Sequence, residues 1–388
     1  MNSMANKELN INDIANQCID AIADKIKNLN TLNIIVAGKT GVGKSTLINS
    51  IFRENLAETG MGKPVTDHMR RLTKENVPLA IYDTKGFELG KDAQTEVKDE
   101  IMKVIRDGIA TKDINRSIHC IWYCINTASN RVEPEEIEWL KDFAKENQVT
   151  QVPVIIVLTQ SISKKKAQEM RNLILDENLD VVQVVPVLAQ DYEIDDEYVA
   201  KAFGLDVLVD VMTEALPSEL LDTLQNVQRA SMAAKRKHAQ AAVTTAAAAA
   251  VGECLVPIPL VDCAMLVPTQ VGMIASITAI YGIEINTSMI VGFVSSIIGT
   301  GGATVAGKAL VTSLLKFIPG AGTVAADAIS GSTAGLITTA LGEAYILLME
   351  AICRGELNVK DINSSVGKEK MKEYFKAEMT ELQSKVTD

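Results

Sequence analysis

Aromatic residues are scarce in this chain, 4% of 388 residues against 47% hydrophobic residues overall. With so few rings, small and branched apolar side chains must do much of the packing, which favours helices that approach one another closely. Positive charge is also in deficit: 38 Lys and Arg stand against 49 Asp and Glu, a net charge of −11. That balance argues against nucleic acid as the main partner, because neutralising a phosphate backbone needs a basic face. Cysteines Cys18, Cys120, Cys124, Cys254, Cys263 and Cys353 show no paired metal-ligand spacing, so buried thiols in a reducing cytosol are expected. The opening "MNSMANKELN" lacks the basic and apolar pattern of a secretory leader, and a cytoplasmic location is expected.

Charge density divides what is present. Ile11, Ile14, Cys18, Ile22, Ile26 and Leu29 recur at spacings of three and four, which predicts an N-terminal amphipathic helix over residues 1–30. From residue 31 to 216, apolar runs such as "LNIIVAG", "VPLAIYDT", "SIHCIWYCIN", "VPVIIVLTQ" and "VVQVVPVLAQ" alternate with charged stretches of helical spacing. That alternation predicts an α/β domain, a mostly parallel sheet with helices on both faces. Residues 217–388 read as an all-α domain. Its apolar core, residues 239–350, carries only eight charged residues.

The strongest motif is "GKTGVGKS", residues 38–45, directly after an apolar strand and before the helical "TLINSIF". Strand, glycine-rich loop and helix in that order form a cradle for a polyphosphate: the glycines let backbone N–H groups curl around it, and the helix N-terminus favours negative charge. The nucleotide-binding candidates here are Gly38, Lys39, Thr40, Gly41, Val42, Gly43, Lys44, Ser45 and Thr46. Lys44 is expected to reach the β- and γ-phosphates as a catalytic cation, and the Ser45 hydroxyl to ligate Mg²⁺. A second element, "DTKGFE", ends another strand about 40 residues later. Asp83 is expected to hold the Mg²⁺ through water, and the Gly86 N–H to meet the γ-phosphate. In the polar loop "ETGMGKPVTDHMRRL" between them, Thr66 is preferred over Thr59 and Thr73 as a further Mg²⁺ ligand and catalytic residue, because it precedes the strand-like "MRRLTKE". His119, inside an apolar strand, reads as a satisfied core histidine, and the run of Lys164, Lys165 and Lys166 as a solvated face.

With these three elements in this order, residues 30–216 resemble the Era-like branch of the P-loop GTPases. The resemblance implies a six-stranded sheet, Mg²⁺ as cofactor, GTP and GDP as ligands, and two switch regions at Thr66 and Asp83. The chain departs from that pattern twice. Phe87 stands where small Ras-like members carry a water-orienting glutamine, so slow unassisted turnover is expected. In "VLTQS", Thr159 and Gln160 replace the Asn and Lys of the base-reading motif, and Ile162 replaces its Asp. Guanine preference is therefore implied by the resemblance alone. The Ala189 N–H in "VLAQ" is a candidate to read the base oxygen. A nucleotide-holding scaffold with negligible turnover, and ATP in place of GTP, stay open as alternatives.

Residues 263–283 and 285–307 contain no charged residue, and each is long enough to cross a bilayer as a helix. Lys235, Arg236 and Lys237 precede them as a basic flank. Their Gly, Ser, Thr and Ala content equally suits a tight soluble bundle. The stretch "VPIPLVDCAMLVPTQVGMIASITAIYG" resembles a C-terminal domain of unknown function that accompanies some Era-like bacterial GTPases, a group described as membrane-associated. A membrane surface, and a homodimer formed through either domain, are the partners this implies. A switch acting at a membrane or in self-assembly is the expected role.

Overall fold

The computed structural model describes residues 11–56, 61–84, 91–129, 131–254, 258–259, 266–298, 328–329, 331–358, 364–370, 373–374 and 377. Two compact units emerge, Leu29–Ala234 and a second one formed by Met1–Asn28 with Lys235–Asp388.

The first unit is built around strand β1 (Leu32–Ala37), whose six residues are all buried. Burial on both faces is what its unbroken apolar run implies. Beside it lie β4 (Leu79–Thr84) and β5 (Cys120–Asn126), both parallel to it. The sheet continues through β6 (Val154–Thr159) and β7 (Gln183–Pro186), also parallel. At the other edge β3 (Met69–Thr73) and β2 (Met61–Pro64) run antiparallel. The order is β2-β3-β4-β1-β5-β6-β7, seven strands rather than the expected six. The extra strand comes from the polar loop around Thr66, whose residues 61–64 pair with residues 70–73.

Alternation along the strands feeds two cores. Leu32, Ile34 and Val36 face helix α2 (Lys44–Ile51) with Leu47, Ile48 and Ile51, and the stacked pair Phe52 and Trp122. Ile35 and Ala37 face the opposite layer, made by α3 (Lys91–Ala110), α4 (Pro134–Asn147) and α5 (Lys164–Asp176). α4 starts cleanly because Pro134 is tolerated in its first turn, where Glu135 and Glu136 also suit the positive end of the helix. His119 is buried as expected: its Nδ1 accepts the Asn33 N–H at 3.0 Å, and Nε2–H donates to Ile114 O at 2.8 Å.

The unit does not stop at residue 216. Past α6 (Leu205–Ala215), helix α7 (Leu221–Val227) buries Leu224 and Val227 in the first core. The following chain is stitched to the end of α2 by Arg53 N–H to Val227 O (2.9 Å) and Arg229 N–H to Ile51 O (2.8 Å). The boundary therefore lies at Ala234.

In the second unit, helix α1 (Ile11–Lys27) buries Ile14, Ala15, Cys18 and Ile22. It packs on α9 (Val267–Tyr281) and α10 (Thr287–Ile298), so it is an integral part of this unit. α8 (Met232–Glu253) and α11 (Gly331–Cys353) approach so closely that a Cβ on Gly342 would lie 2.5 Å from Val243 Cγ2, and one on Gly335 2.7 Å from Val251 Cγ2. This is the small-residue packing that the shortage of aromatics requires. A two-residue antiparallel ribbon, β10 (Ile258–Pro259) with β11 (Ala328–Ile329), departs from a purely helical domain.

The charge-free windows do not become two long helices among the described residues. α9 spans 15 residues and stops at the left-handed Gly282, and α10 spans 12. The described helix long and apolar enough to cross a membrane is α11, of mean hydropathy 1.6, with 67% of its apolar window buried inside the protein. Of the basic residues expected as a flank, Lys237 is exposed but two are engaged inside the protein. Lys235 is buried and donates to Ile280 O at 2.8 Å, at the carbonyl end of α9, while Arg236 pairs with the buried Glu350 at 2.9 Å. Cys18, Cys120, Cys124 and Cys254 are buried free thiols, whereas Cys353 is exposed; Cys263 lies outside the described residues.

Two outcomes follow for the first unit, which contains both tryptophans of the chain, Trp122 and Trp139. Leu224→Ala should lower its stability by about 2–5 kcal/mol, read from urea unfolding followed by tryptophan fluorescence; an unchanged midpoint would return the boundary to residue 216. Burial depresses the His119 pKa from 6.5 to about 4, so the unfolded chain takes up the proton first as the solution is acidified. Its contribution is complete above pH 6.5 and is lost toward pH 4, up to about 3 kcal/mol. A His119→Gln variant should show a flatter stability profile across that window than wild type.

Candidate functional site

The carboxyl ends of β1, β4, β6 and β7 open on the same edge of the sheet, where the strand order reverses around β1. In open α/β sheets that crevice is where ligands bind. β1 runs into the glycine-rich loop, in which Gly38, Gly41 and Gly43 have φ of 139°, 76° and 95°. All three lie in the region that side-chain-bearing residues rarely adopt. Gly38 is doubly constrained, since a Cβ there would lie 2.4 Å from Cys124 O on the neighbouring β5. The third glycine leads straight into α2, so the loop's N–H groups and the helix N-terminus converge.

A cleft of about 450 Å³ is bordered by Thr40, Gly41, Gly43, Lys44, Ser45 and Thr46 from this segment, and by Arg70, Asp83, Thr84 and Gln160. Lys44 Nζ spans the loop, donating to Gly38 O at 2.8 Å and Lys39 O at 3.0 Å. Burial pushes its pKa below the ordinary ammonium range, with the Asp83 charge acting against that shift. Asp83, at the end of β4, is shifted oppositely: burial raises its carboxyl above the usual range, and Lys44 and Arg70 oppose it. Arg70 Nη2 lies 3.5 Å from Asp83 Oδ2, because the β3–β4 register sets the two residues opposite each other. Asp83 Oδ1 is buried and has no hydrogen-bond partner among the described residues.

Such an orphaned oxygen beside the Ser45 hydroxyl fits a hard cation that prefers oxygen ligands and retains part of its water shell, as Mg²⁺ does. The third expected ligand is elsewhere. Thr66 does not border the cleft; its hydroxyl donates to Glu100 Oε2 on α3, whose other oxygen meets His68 Nδ1 at 3.0 Å. Gly86 and Phe87 lie outside the described residues.

A second pocket, about 210 Å³, continues from the first and shares Gly43, Thr46 and Gln160 with it. Thr159 and Gln160 act here on the loop itself. Thr159 Oγ1 donates to Val42 O at 2.5 Å, and Gln160, at φ 51°, donates from Nε2 to Gly41 O at 3.0 Å. Ala189 borders this pocket, as does Ile162.

Several residues were not singled out from the sequence. Glu136 of α4 is buried, pairs with Lys39 of the loop at 3.0 Å and accepts the Tyr123 hydroxyl at 3.1 Å. Arg70 reaches the cleft through strand register, and Glu100 meets Thr66 through helix packing, neither of which leaves a local motif. Asp191 and Tyr192 line the second pocket immediately after the quoted "VLAQ", so one step further along the chain would have found them.

Comparison with known proteins also divides the chain in two, with the second match starting at residue 219, before the end of the first unit at Ala234. Residues 33–160 match the sequence family described as 50S ribosome-binding GTPase, and residues 219–374 match a domain of unknown function. The stretch similar to the GTPase family thus lies within the α/β unit, and a helical region follows it. Septin-1 of Bos taurus is 27% identical over 178 residues, covering 39% of this chain and 47% of the septin. Septin-9 of Mus musculus is 25% identical over 199 residues, covering 44% and 33%. The chain therefore spans half or less of the length of the curated relatives it matches. Among solved structures, a probable GTP-binding protein engB is 19% identical, covering 47% of this chain and 97% of its own, with a TM-score of 0.31. Toc33 of Arabidopsis thaliana, in complex with Mg²⁺ and GMPPNP, is 18% identical, covering 52% and 92%, with a TM-score of 0.30.

The raised Asp83 pKa has a measurable sign. The folded carboxyl binds its proton more tightly than the unfolded one, so stability falls as pH rises above 3.8 through the folded value. Without nucleotide, Asp83→Asn should be more stable than wild type at pH 7. That advantage should shrink as the pH is lowered toward 3.8. Thermal melts across this range check it; a variant less stable than wild type at pH 7 would contradict the electrostatic assignment.

Proposed function

We propose that the chain binds GTP with Mg²⁺ and hydrolyses it to GDP and phosphate, as an Era-like switch protein. The observation that carries this reading is the convergence on one cleft of the left-handed glycine loop, the Lys44 ammonium and the unpartnered Asp83 oxygen. In this reading the N–H groups of residues 38–46 surround the β-phosphate, and Lys44 donates to the β- and γ-phosphate oxygens, where negative charge accumulates during transfer. Ser45 supplies a direct oxygen to the metal and Asp83 a water-mediated one; the ion's contribution is charge neutralisation at the bridging oxygens. Thr66 would add its hydroxyl once released from Glu100, and Gly86 its N–H to the γ-phosphate. Thr159 and Gln160 act by holding the loop at Val42 and Gly41, and Ala189 donates to the base oxygen.

Thr66 held on Glu100 favours a second reading, a nucleotide-binding scaffold with negligible turnover. In either case the nucleotide-dependent element is the loop carrying Thr66, and the helical unit, with the long apolar α11, is the part suited to a membrane surface or to self-assembly, including a homodimer. In this reading the protein works in the cytoplasm or at a membrane facing it.

Calorimetry of the full chain with Mg²⁺ and GTP should show binding that falls by about 10²-fold or more in Lys44→Ala. Absence of binding heat from any purine nucleoside triphosphate would remove the proposal altogether. Single-turnover phosphate release separates the two readings: release lost in Lys44→Ala supports hydrolysis, and none from wild type supports the scaffold.

A further inference from the structure

We infer that Asp191 is the residue that selects guanine, a role the chain has moved from the loop after β6 to the loop after β7. This rests on the nucleotide-binding reading above and names its base-specificity determinant.

The position expected to carry a base-reading carboxylate holds Ile162, an apolar side chain that borders the pocket and offers nothing to a Watson–Crick edge. Among the described residues lining that pocket, Asp191 is the single charged side chain. It borders the pocket at the end of the segment that follows β7. Its half-exposed carboxylate is held by two hydrogen bonds: Oδ1 accepts the Ala202 N–H at 2.8 Å, and Oδ2 accepts Lys201 Nζ at 2.8 Å. The hairpin of β8 (Tyr192–Glu193) and β9 (Val199–Ala200) brings residues 201 and 202 back beside it. Leu188 and Phe203 close the base of this hairpin with two backbone bonds of 3.0 Å. The Lys201 and Ala202 hydrogen bonds also lower the Asp191 pKa, which keeps the group an anion and acceptor.

An ionised carboxylate has about four acceptor sites, so two remain after these bonds. Guanine offers N1–H and the N2 amino group side by side, matching two carboxylate oxygens, with its O6 acceptor adjacent. Ala189, two residues earlier in the same segment, supplies an N–H for that oxygen. Adenine has a lone pair at N1 where guanine has a proton, and it would face the Asp191 charge unfavourably. Ile162 and Tyr192 supply apolar surface for the base.

The test is competition of GTP, ATP and xanthosine triphosphate, with Mg²⁺, against ribose-labelled GTP on the full chain. Wild type should prefer GTP over ATP by about 10²-fold or more, the worth of a charge-assisted pair of hydrogen bonds. Asp191→Asn should lose most of that preference. It should bind xanthosine triphosphate more tightly than wild type does, because its amide N–H now meets the C2 oxygen that replaces guanine's amino group. An unchanged ranking of the three nucleotides in Asp191→Asn, or a wild-type preference for ATP, would overturn the inference while leaving triphosphate binding intact. Failure of wild type to bind any of them would overturn the proposed function as well. Should Asp191→Asn melt at a lower temperature and bind nothing, Lys201→Ala decides. It leaves the carboxylate in place but unanchored, and should narrow GTP selectivity several-fold; unchanged selectivity there would also overturn the assignment.

Discussion

The nucleotide unit depends on how tightly its glycine-rich loop is set against the two strands beside it. At Gly38 the backbone of β1 approaches Cys124 O so closely that no side chain fits. From the other side, Thr159 and Gln160 hold the carbonyls of Val42 and Gly41. With these two carbonyls already bonded, the loop is held at two points besides its glycine packing. A loop in left-handed geometry at three glycines would be entropically expensive if it were free. Fixed by strand packing and by two polar side chains, it is ordered before any ligand arrives, and ordering is a cost that binding then avoids.

The sheet and the loop were legible because their signals are local: apolar runs of strand length, glycines at fixed spacing, an acid at a strand end. Thr159 and Gln160 were legible as positions, but their action on the loop was not. A threonine hydroxyl bonded to a carbonyl 117 positions away is a tertiary fact. Asp191 escaped because the expected site of a base-reading acid was a place in a motif, whereas the pocket is a place in space. The limit expected at residue 216 is a related case, since the second family match begins at residue 219 whereas the compact first unit runs to Ala234. Leu220, Leu224 and Val227 follow an apparent domain end, yet they fill the core beneath α2. Their spacing is helical, and helical spacing does not say which core a helix joins.

The helical unit shows the same contrast. Scarcity of aromatics predicted close helix packing, and Gly335 and Gly342 against Val251 and Val243 provide it. Charge-free windows suggested spans, but Gly282 ends α9 after 15 residues. Two of the three cations that looked like a flank are used internally. Lys235 satisfies carbonyls at the end of α9, and Arg236 compensates Glu350, which also accepts the Tyr281 hydroxyl at 3.4 Å. A buried cation is tolerable when helix-end carbonyls and a paired acid surround it. Among the described residues, Lys235, Arg236 and Glu350 thus find their partners inside this apolar half.

The salt bridges around the glycine loop also bear on how a nucleotide would arrive. Lys39 is matched by Glu136, and Arg70 by Asp83, which leaves the Lys44 charge to face a polyanion. The chain as a whole carries −11. Diffusional steering is thus weak or adverse, and attraction begins only within the reach of amide dipoles, a few ångströms from the loop. For such a mouth, dissolved ions screen repulsion more than they screen attraction. The encounter rate should then rise with ionic strength, the reverse of what a cationic funnel would do.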